Sequence, residues 1–310
     1  MIRIEITDNL LEERIEEKKP GWLQRARQRA SAASAAGEVG EGDGIWSEIK
    51  EVFILLQQFK CIYCESLMPK VESASAAMVG VDYDIEHYRP KNRVTGWPSR
   101  RDIKRRLRLQ SYVGRVASGS QGGYPRLAFD PLNYVVSCKV CNSSYKADHF
   151  PIAGMPGDQN LSIADLNITE RPLLLFPFGE FGDDPRSYFA FIGPLIHPQR
   201  GPGAAGILRA QLVIDFFELD TREGLLEGRC SILLLLWPQL ENRSSPDPET
   251  RAQAEAFLAV IKEQRRFEHT ACGRAFIELH ERDHPLAAAC QGAAFRYLMS
   301  KEPTVFVNLG

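Results

Sequence analysis

Two Cys-x-x-Cys pairs, Cys61/Cys64 and Cys138/Cys141, constrain this chain more than any other feature. A two-residue spacer makes a tight knuckle that aims both sulfurs at one point. Two such knuckles supply the four thiolates of a tetrahedral structural zinc. The 73 residues between Cys64 and Cys138 exceed the usual ribbon spacing. Closure entropy grows only logarithmically with loop length, so the gap is tolerable. The pairs are also decorated alike, as Cys-Ile-Tyr-Cys-Glu and Cys-Lys-Val-Cys-Asn. A redox dithiol needs only one pair, on a βαβ unit. Cys230, Cys272 and Cys290 stand singly in helical-looking surroundings and read as small core residues. The start of the chain lacks a basic stretch followed by an apolar one. The expectation is a cytoplasmic protein whose paired cysteines hold metal rather than form disulfides.

The net charge of −2 hides an asymmetry. From His87 to Lys146 there are 13 Lys/Arg against two acids, Asp102 and Asp130, which makes that segment +11 and the remainder −13. An excess of this size is an electrostatic footprint for a polyanion. The longest strongly apolar run, residues 232–237, is far too short for a bilayer and reads as buried core. No membrane partner is expected.

Three segments follow from pattern and composition: an N-terminal segment with a flexible linker (1–44), a motif-bearing module (45–152) and a mainly helical C-terminal part (153–310). Residues 1–7 alternate like a strand, and 9–19 and 22–30 read as helices separated by Pro20-Gly21. Residues 31–44 are Ala, Ser, Gly and Glu without periodicity, hence the linker. Residues 45–59 carry the apolar stripe of an amphipathic helix. Residues 93–124, basic and then Gly/Ser-rich, have the character of an insertion. Further on, 171–178 and 187–192 read as short strands, and 204–217, 222–240, 248–281 and 287–301 as helices, with Pro285 ending the third. Residues 304–309 read as a closing strand.

Between the knuckles lies Asp84-Ile-Glu-His-Tyr-Arg-Pro-Lys91, with 79–85 strand-like and Glu86 and His87 at the strand end. A carboxylate beside a histidine can serve as metal ligand plus general base, because an imidazole takes a proton from water near neutral pH. Asn142, after the last cysteine, offers a second oxygen ligand. Backbone phosphates give affinity to Arg and Lys without sequence reading. Arg89, Lys91, Arg93, Arg105, Arg106 and Lys146 suit that role.

These residues carry a resemblance. Cys61-x-x-Cys64, Glu86-His87, Asn133 and Cys138-x-x-Cys141-Asn142-x-x-x-Lys146 look like the ββα-metal (HNH) nuclease module with a four-cysteine zinc. The phrasing Ile-Glu-His-Tyr-Arg-Pro-Lys, Asp-Pro-Leu-Asn-Tyr and Ser-Cys-Lys-Val-Cys-Asn-Ser-Ser-Tyr-Lys resembles the HNH subunits of Septu-type and retron-associated anti-phage systems. The resemblance implies an α+β fold, an HNH module within a mostly helical protein, that hydrolyses DNA, with RNA as a further candidate. In this family the acidic residue and the residue after the last cysteine bind a divalent cation. That role falls to Glu86 and Asn142, holding magnesium or manganese. His87 would then be the base and Asn133 a structural brace. Asp is commoner than Glu at position 86, so Asp84 stands as a rival ligand. The resemblance also implies an ATPase partner of the ABC or SMC type. A non-catalytic zinc-knuckle module that binds nucleic acid or a protein is the competing expectation; it needs the cysteines and the basic patch but not the convergence of Glu86, His87 and Asn142.

His280-Glu281-Arg282-Asp283-His284 matches the zinc-protease pattern His-Glu-x-x-His, with Glu302 as a conceivable third ligand. Pro285 disfavours α geometry at His284, so the two histidines are not expected to share a helical face, and the segment reads as a solvated helix end.

Overall fold

The computed structural model describes residues 1–67, 83–201, 203–263 and 267–309. The chain forms two compact units, one of Arg3–Gln57 with Lys70–Asp183, the other of Met1–Ile2, Gln58–Pro69 and Asp184–Gly310. Among the described residues it is mostly helical, with three two-stranded antiparallel sheets.

The first unit holds helices α1 (Asp8–Lys18), α2 (Trp22–Ala36) and α3 (Lys50–Leu56), strand β1 (Tyr83–His87), helix α4 (Arg100–Arg105), strands β2 (Ala117–Ser118), β3 (Tyr134–Cys138) and β4 (Pro151–Ile152), and helix α5 (Ile163–Glu170). Residues 1–7 make a single bridge, Ile4 to Phe178, rather than a strand. The Thr7 hydroxyl caps α1 by accepting from the Leu10 N–H. The first six residues of the expected linker instead continue α2. Ala is the best helix former, and the helix stops only where Gly37 turns left-handed at φ +76°. The single helix expected over 45–59 is a 3₁₀ turn, Trp46–Ile49, followed by α3. Of 79–85, residues 79–82 lie outside the described residues. No strand forms over 171–178; that stretch contributes only the isolated bridges at Pro172 and Phe178.

β1 and β3 pair antiparallel, with Asp84 opposite Ser137, Glu86 opposite Val135 and His87 opposite Tyr134. β3 is buried from Tyr134 to Ser137. The Gln57 amide satisfies its backbone: Nε2 donates to the Val136 carbonyl (2.8 Å) and Oε1 accepts from the Val136 N–H (2.7 Å).

The second unit contains the hairpin β5 (Phe189–Ile192) and β6 (Leu195–Pro198) and helices α6 (Gly203–Phe217), α7 (Glu223–Asn242), α8 (Pro248–Lys262), α9 (Thr270–Arg282) and α10 (His284–Ser300). Ile232, Leu233, Leu236, Phe276, Ala294 and all three single cysteines lie in its core. The helix expected over 248–281 is two helices, α8 and α9. Pro285 does not end a helix but sits in the first turn of α10, where its missing N–H costs nothing. The closing strand expected over 304–309 is a 3₁₀ segment, Pro303–Leu309.

Two histidines, buried His269 and half-buried His87, weaken the fold in acid. Burial lowers His269 to about 4, helped by the Arg229 charge, and lowers His87 to about 3, helped by Lys91. Unfolded, both titrate near 6.5, so the unfolded chain binds more protons below that pH. Stability is expected to be complete above pH 6.5. It falls toward pH 4 by up to about 1.4 kcal/mol per unit for each histidine. Urea midpoints measured between pH 7 and 5 check this; the Glu86 carboxyl, raised to about 6, offsets at most one of the two histidines over that range, so a flat profile contradicts the account.

Candidate metal and catalytic site

Each knuckle is built by its own turn. In the first, the Cys61 N–H donates to the Ser66 carbonyl (3.1 Å) and the Glu65 N–H to the Cys61 carbonyl (3.0 Å), with Glu65 at φ +62°. Glu65 is buried, and burial alone would raise its carboxyl. The Met1 amine, Lys60 and the Ala271 N–H outweigh this and hold it at about 2. In the second, Cys138 ends β3 and Cys141 lies in the wide helical turn Val140–Lys146, closed by the Ala147 N–H on the Asn142 carbonyl (2.6 Å). The sulfurs of Cys61, Cys64, Cys138 and Cys141 all lie within 4.8 Å of one another. Zinc–sulfur bonds of ~2.3 Å place tetrahedral sulfurs ~3.8 Å apart, so the cluster fits zinc and can bind it.

The strand alternation separates Glu86 and His87. Asp84 and Glu86 share one face of β1, and His87 points to the other. Glu86 is only 3% exposed, with Lys146 Nζ 3.1 Å from its Oε1. That oxygen has no hydrogen bond of good geometry despite the close ammonium. Burial raises the Glu86 carboxyl to about 6, against the pull of Lys146. Asp84 Oδ2 takes the Lys139 ammonium (2.6 Å) and the Asn142 Nδ2 donor (3.2 Å). Asn142 thus meets the rival carboxylate, Asp84.

His87 packs edge-on against Trp46 (4.7 Å between ring centroids) and Tyr134 (5.0 Å). Its Nε2 lies 3.2 Å from the Ala128 carbonyl, an acceptor, so Nε2 carries the proton and Nδ1 is left as the basic nitrogen. Asn133 ties the neighbouring loop together. Its Oδ1 accepts from the Arg89 N–H (2.8 Å). Its Nδ2 donates to the carbonyls of Arg89 (3.0 Å) and Leu127 (3.1 Å). Trp46 also receives the Lys91 ammonium over its ring at 4.3 Å. Nothing in the sequence marks Trp46 as a neighbour of His87, because the contact joins residues 41 apart through packing alone.

Two of the six residues expected to meet phosphates are enclosed. Arg89 is 1% exposed: it donates to Glu170 Oε2 (2.9 Å) and to Asn167 Oδ1 (2.9 Å), with the rings of Tyr88, Tyr124 and Phe150 around its guanidinium. Lys146 is fully buried on Glu86. Their polar neighbours and desolvation make both internal partners, not phosphate contacts. Lys91 is half-buried. Arg93 is exposed and ion-paired with Asp148, Arg105 is exposed, and Arg106 is half-buried against Tyr145. Glu170 also accepts from the Tyr124 hydroxyl and the Gly157 N–H. Glu170→Ala leaves the buried guanidinium unpaired and is expected to cost about 3–5 kcal/mol, read as a lower urea midpoint. A loss below 1 kcal/mol contradicts this account.

A mixed α and β chain, mostly helical, with small sheets and a four-cysteine cluster able to bind zinc is the class these observations define. Over 138 residues the chain is 29% identical to the Septu protein PtuB of Bacillus mycoides (strain KBAB4). The match covers 43% of this chain and 34% of that protein, so it spans about a third of the relative's length. No protein-family model and no solved structure matches the chain. No helix among the described residues is long and apolar enough to cross a membrane.

Proposed function

We propose that this chain is the nuclease component of a Septu-related anti-phage defence system, hydrolysing DNA phosphodiester bonds through an HNH-type ββα-metal site. The observation that carries the reading is the local build. The antiparallel pair β1–β3 leads straight into the Val140–Lys146 turn, and Asn142 on that turn reaches back to Asp84 on β1. The similarity to the Septu protein PtuB supports the defence role. An ATPase partner of the ABC or SMC type, and action on RNA beside DNA, belong to the same proposal.

The chemistry follows from the side chains. Asp84, Glu86 and Asn142 are hard oxygen donors, and the poorly satisfied buried Oε1 of Glu86 fits a cation, so these three would hold magnesium or manganese. Such an ion, when bound, supplies positive charge for the growing phosphate charge and the leaving oxygen. His87 is neutral throughout the physiological range. Its Nδ1 takes the proton from the attacking water while the Nε2–H bond to Ala128 fixes the ring. Asn133 holds the loop that follows His87. Lys146 compensates Glu86 until the cation arrives.

Exposed Arg101, Lys104 and Arg105, on and beside the α4 surface, would track the backbone. Their triple replacement by Ala is expected to weaken DNA binding alike for all sequences. It should also reduce the slope of log affinity against log salt by roughly 2–3. An unchanged slope, measured by fluorescence anisotropy over a salt series, places the DNA elsewhere. The non-catalytic reading has two observations in its favour: both carboxylates already have ammonium partners, Asp84 with Lys139 and Glu86 with Lys146, and His87 lies on the face of β1 opposite them with its basicity lowered by desolvation. Magnesium-dependent nicking of supercoiled plasmid by the purified chain, with and without its ATPase, separates the two. DNA binding without nicking under either condition leaves the knuckle-module reading.

A further inference from the structure

The motif His280-Glu-Arg-Asp-His284 does not behave as a helical zinc-protease pair. α9 ends at Arg282, Asp283 caps the next helix by accepting from the Leu286 N–H (3.0 Å), and His284 opens α10. The helix break nevertheless turns both imidazoles toward one carboxylate. His280 Nε2 and His284 Nε2 each lie 2.9 Å from the same oxygen, Oε1 of Glu241 on the last turn of α7. The third ligand read from the sequence is Glu302; the carboxylate that meets the histidines is Glu241. The three ligand atoms lie within 4.8 Å of one another.

We propose that Glu241, His280 and His284 form a second, separate binding site for a divalent transition metal, zinc foremost, which clamps α7, α9 and α10. Three features point to it. The ligands are two borderline imidazoles and one carboxylate, a set that suits zinc and leaves a fourth position for water. The rings are held in place by Trp237, one turn before Glu241, whose ring centroid is 5.4 Å from each imidazole. The charges around the site are spent elsewhere. Arg243 pairs with Glu255 (2.8 Å) and Glu281 (2.7 Å), and among the described residues no lysine or arginine is ion-paired with Glu241. The same pairing turns Glu281, the motif's would-be general base, onto Arg243, so the site is a clamp and not a hydrolase. Zinc–ligand bonds of ~2.1 Å set the donors ~3.4 Å apart, an opening of about half an ångström from the observed contacts. His284 and Glu241 are near the surface, 52% and 47% exposed, so the ion has a path in.

The test is a zinc titration of the full-length protein against its His284→Ala and Glu241→Gln variants, read by calorimetry and by metal content after gel filtration. The four-thiolate site is common to all three proteins and cancels in the comparison. Wild type is expected to bind one equivalent more than His284→Ala, and added zinc should raise its melting temperature but not that of the variant. Affinity at the extra site should fall by roughly 100-fold in His284→Ala, because loss of a ligand exceeds the 10–100-fold effect of losing a supporting hydrogen bond. The exposure of both side chains keeps the variants folded, which equal metal-free melting temperatures verify. Identical zinc stoichiometry in wild type and His284→Ala overturns the proposal, as does a wild type that takes up no zinc beyond the four-thiolate site. Cobalt substitution provides an independent reading: the extra equivalent should lack the sulfur-to-cobalt charge-transfer band of a thiolate site. A thiolate band from every bound cobalt overturns it too.

Discussion

Cys141→Ser is expected to abolish tight zinc binding by the four-cysteine cluster and to cost more stability than any other single change in the chain. Cys141 is fully buried beside three other sulfurs, so no solvent ligand can take its place without rearrangement. Four thiolates pressed within 4.8 Å of each other repel unless a cation neutralises them, and without metal they must be protonated or spread apart. Structural zinc in small modules contributes on the order of 10 kcal/mol of apparent binding free energy near neutral pH. That exceeds the usual 5–15 kcal/mol margin of a domain at its lower end. Purified wild type should therefore carry one zinc in this cluster, and the variant should lose it together with cooperative unfolding of the β1–β3 region. Elemental analysis and hydrogen exchange measure the two effects. Folded, protected Cys141→Ser protein without zinc would show that apolar packing alone holds the knuckles.

His87→Ala is expected to lower phosphodiester cleavage by ~10²–10⁴ while leaving zinc content and DNA affinity near wild type, since only the proton transfer from water is removed. The ring's contacts are with Trp46, Tyr134 and the Ala128 carbonyl, so some stability is lost as well. His87→Gln, which keeps a donor toward Ala128 but has no basic nitrogen, separates the two effects: it should recover stability and not activity. The pH dependence adds a sign. With His87 lowered to about 3 by burial and by the Lys91 charge, the base stays unprotonated down to well below neutral pH. Cleavage should not fall between pH 7 and 5.5 through this group. Lys91→Gln removes one repelling charge and should move the acidic limb upward. Wild-type cleavage by His87→Gln rules His87 out as the base.

Structure was legible in the sequence where it is local. The knuckle spacing, the Glu-His dipeptide in a strand and the apolar run in α7 are each encoded within a few residues, and the structure places them in turns, a strand and a core helix. Boundaries that depend on continuation were less legible. Residues 31–36 look like a linker because they lack an apolar stripe, yet Ala-rich backbone propagates a helix already nucleated at Trp22. Which polar partners meet was not legible at all. Arg89 sits in a basic run that reads as a phosphate surface, but Glu170, 81 residues on, draws it into the interior behind three aromatic rings. Asn142 could have turned to either carboxylate of β1. Lys146 occupies Glu86 and leaves Asp84 to it. His280 and His284 read as a solvated helix end until α7 brings Glu241 against them. Sequence determined which side-chain types are available, their short-range spacing and the segments that must turn, because spacing and turns follow from backbone geometry over a few residues. Tertiary structure alone decided which charge is buried against which. Pairing across 40–80 residues is selected by the cost of leaving any one of them desolvated and unpaired, and no local pattern records that cost.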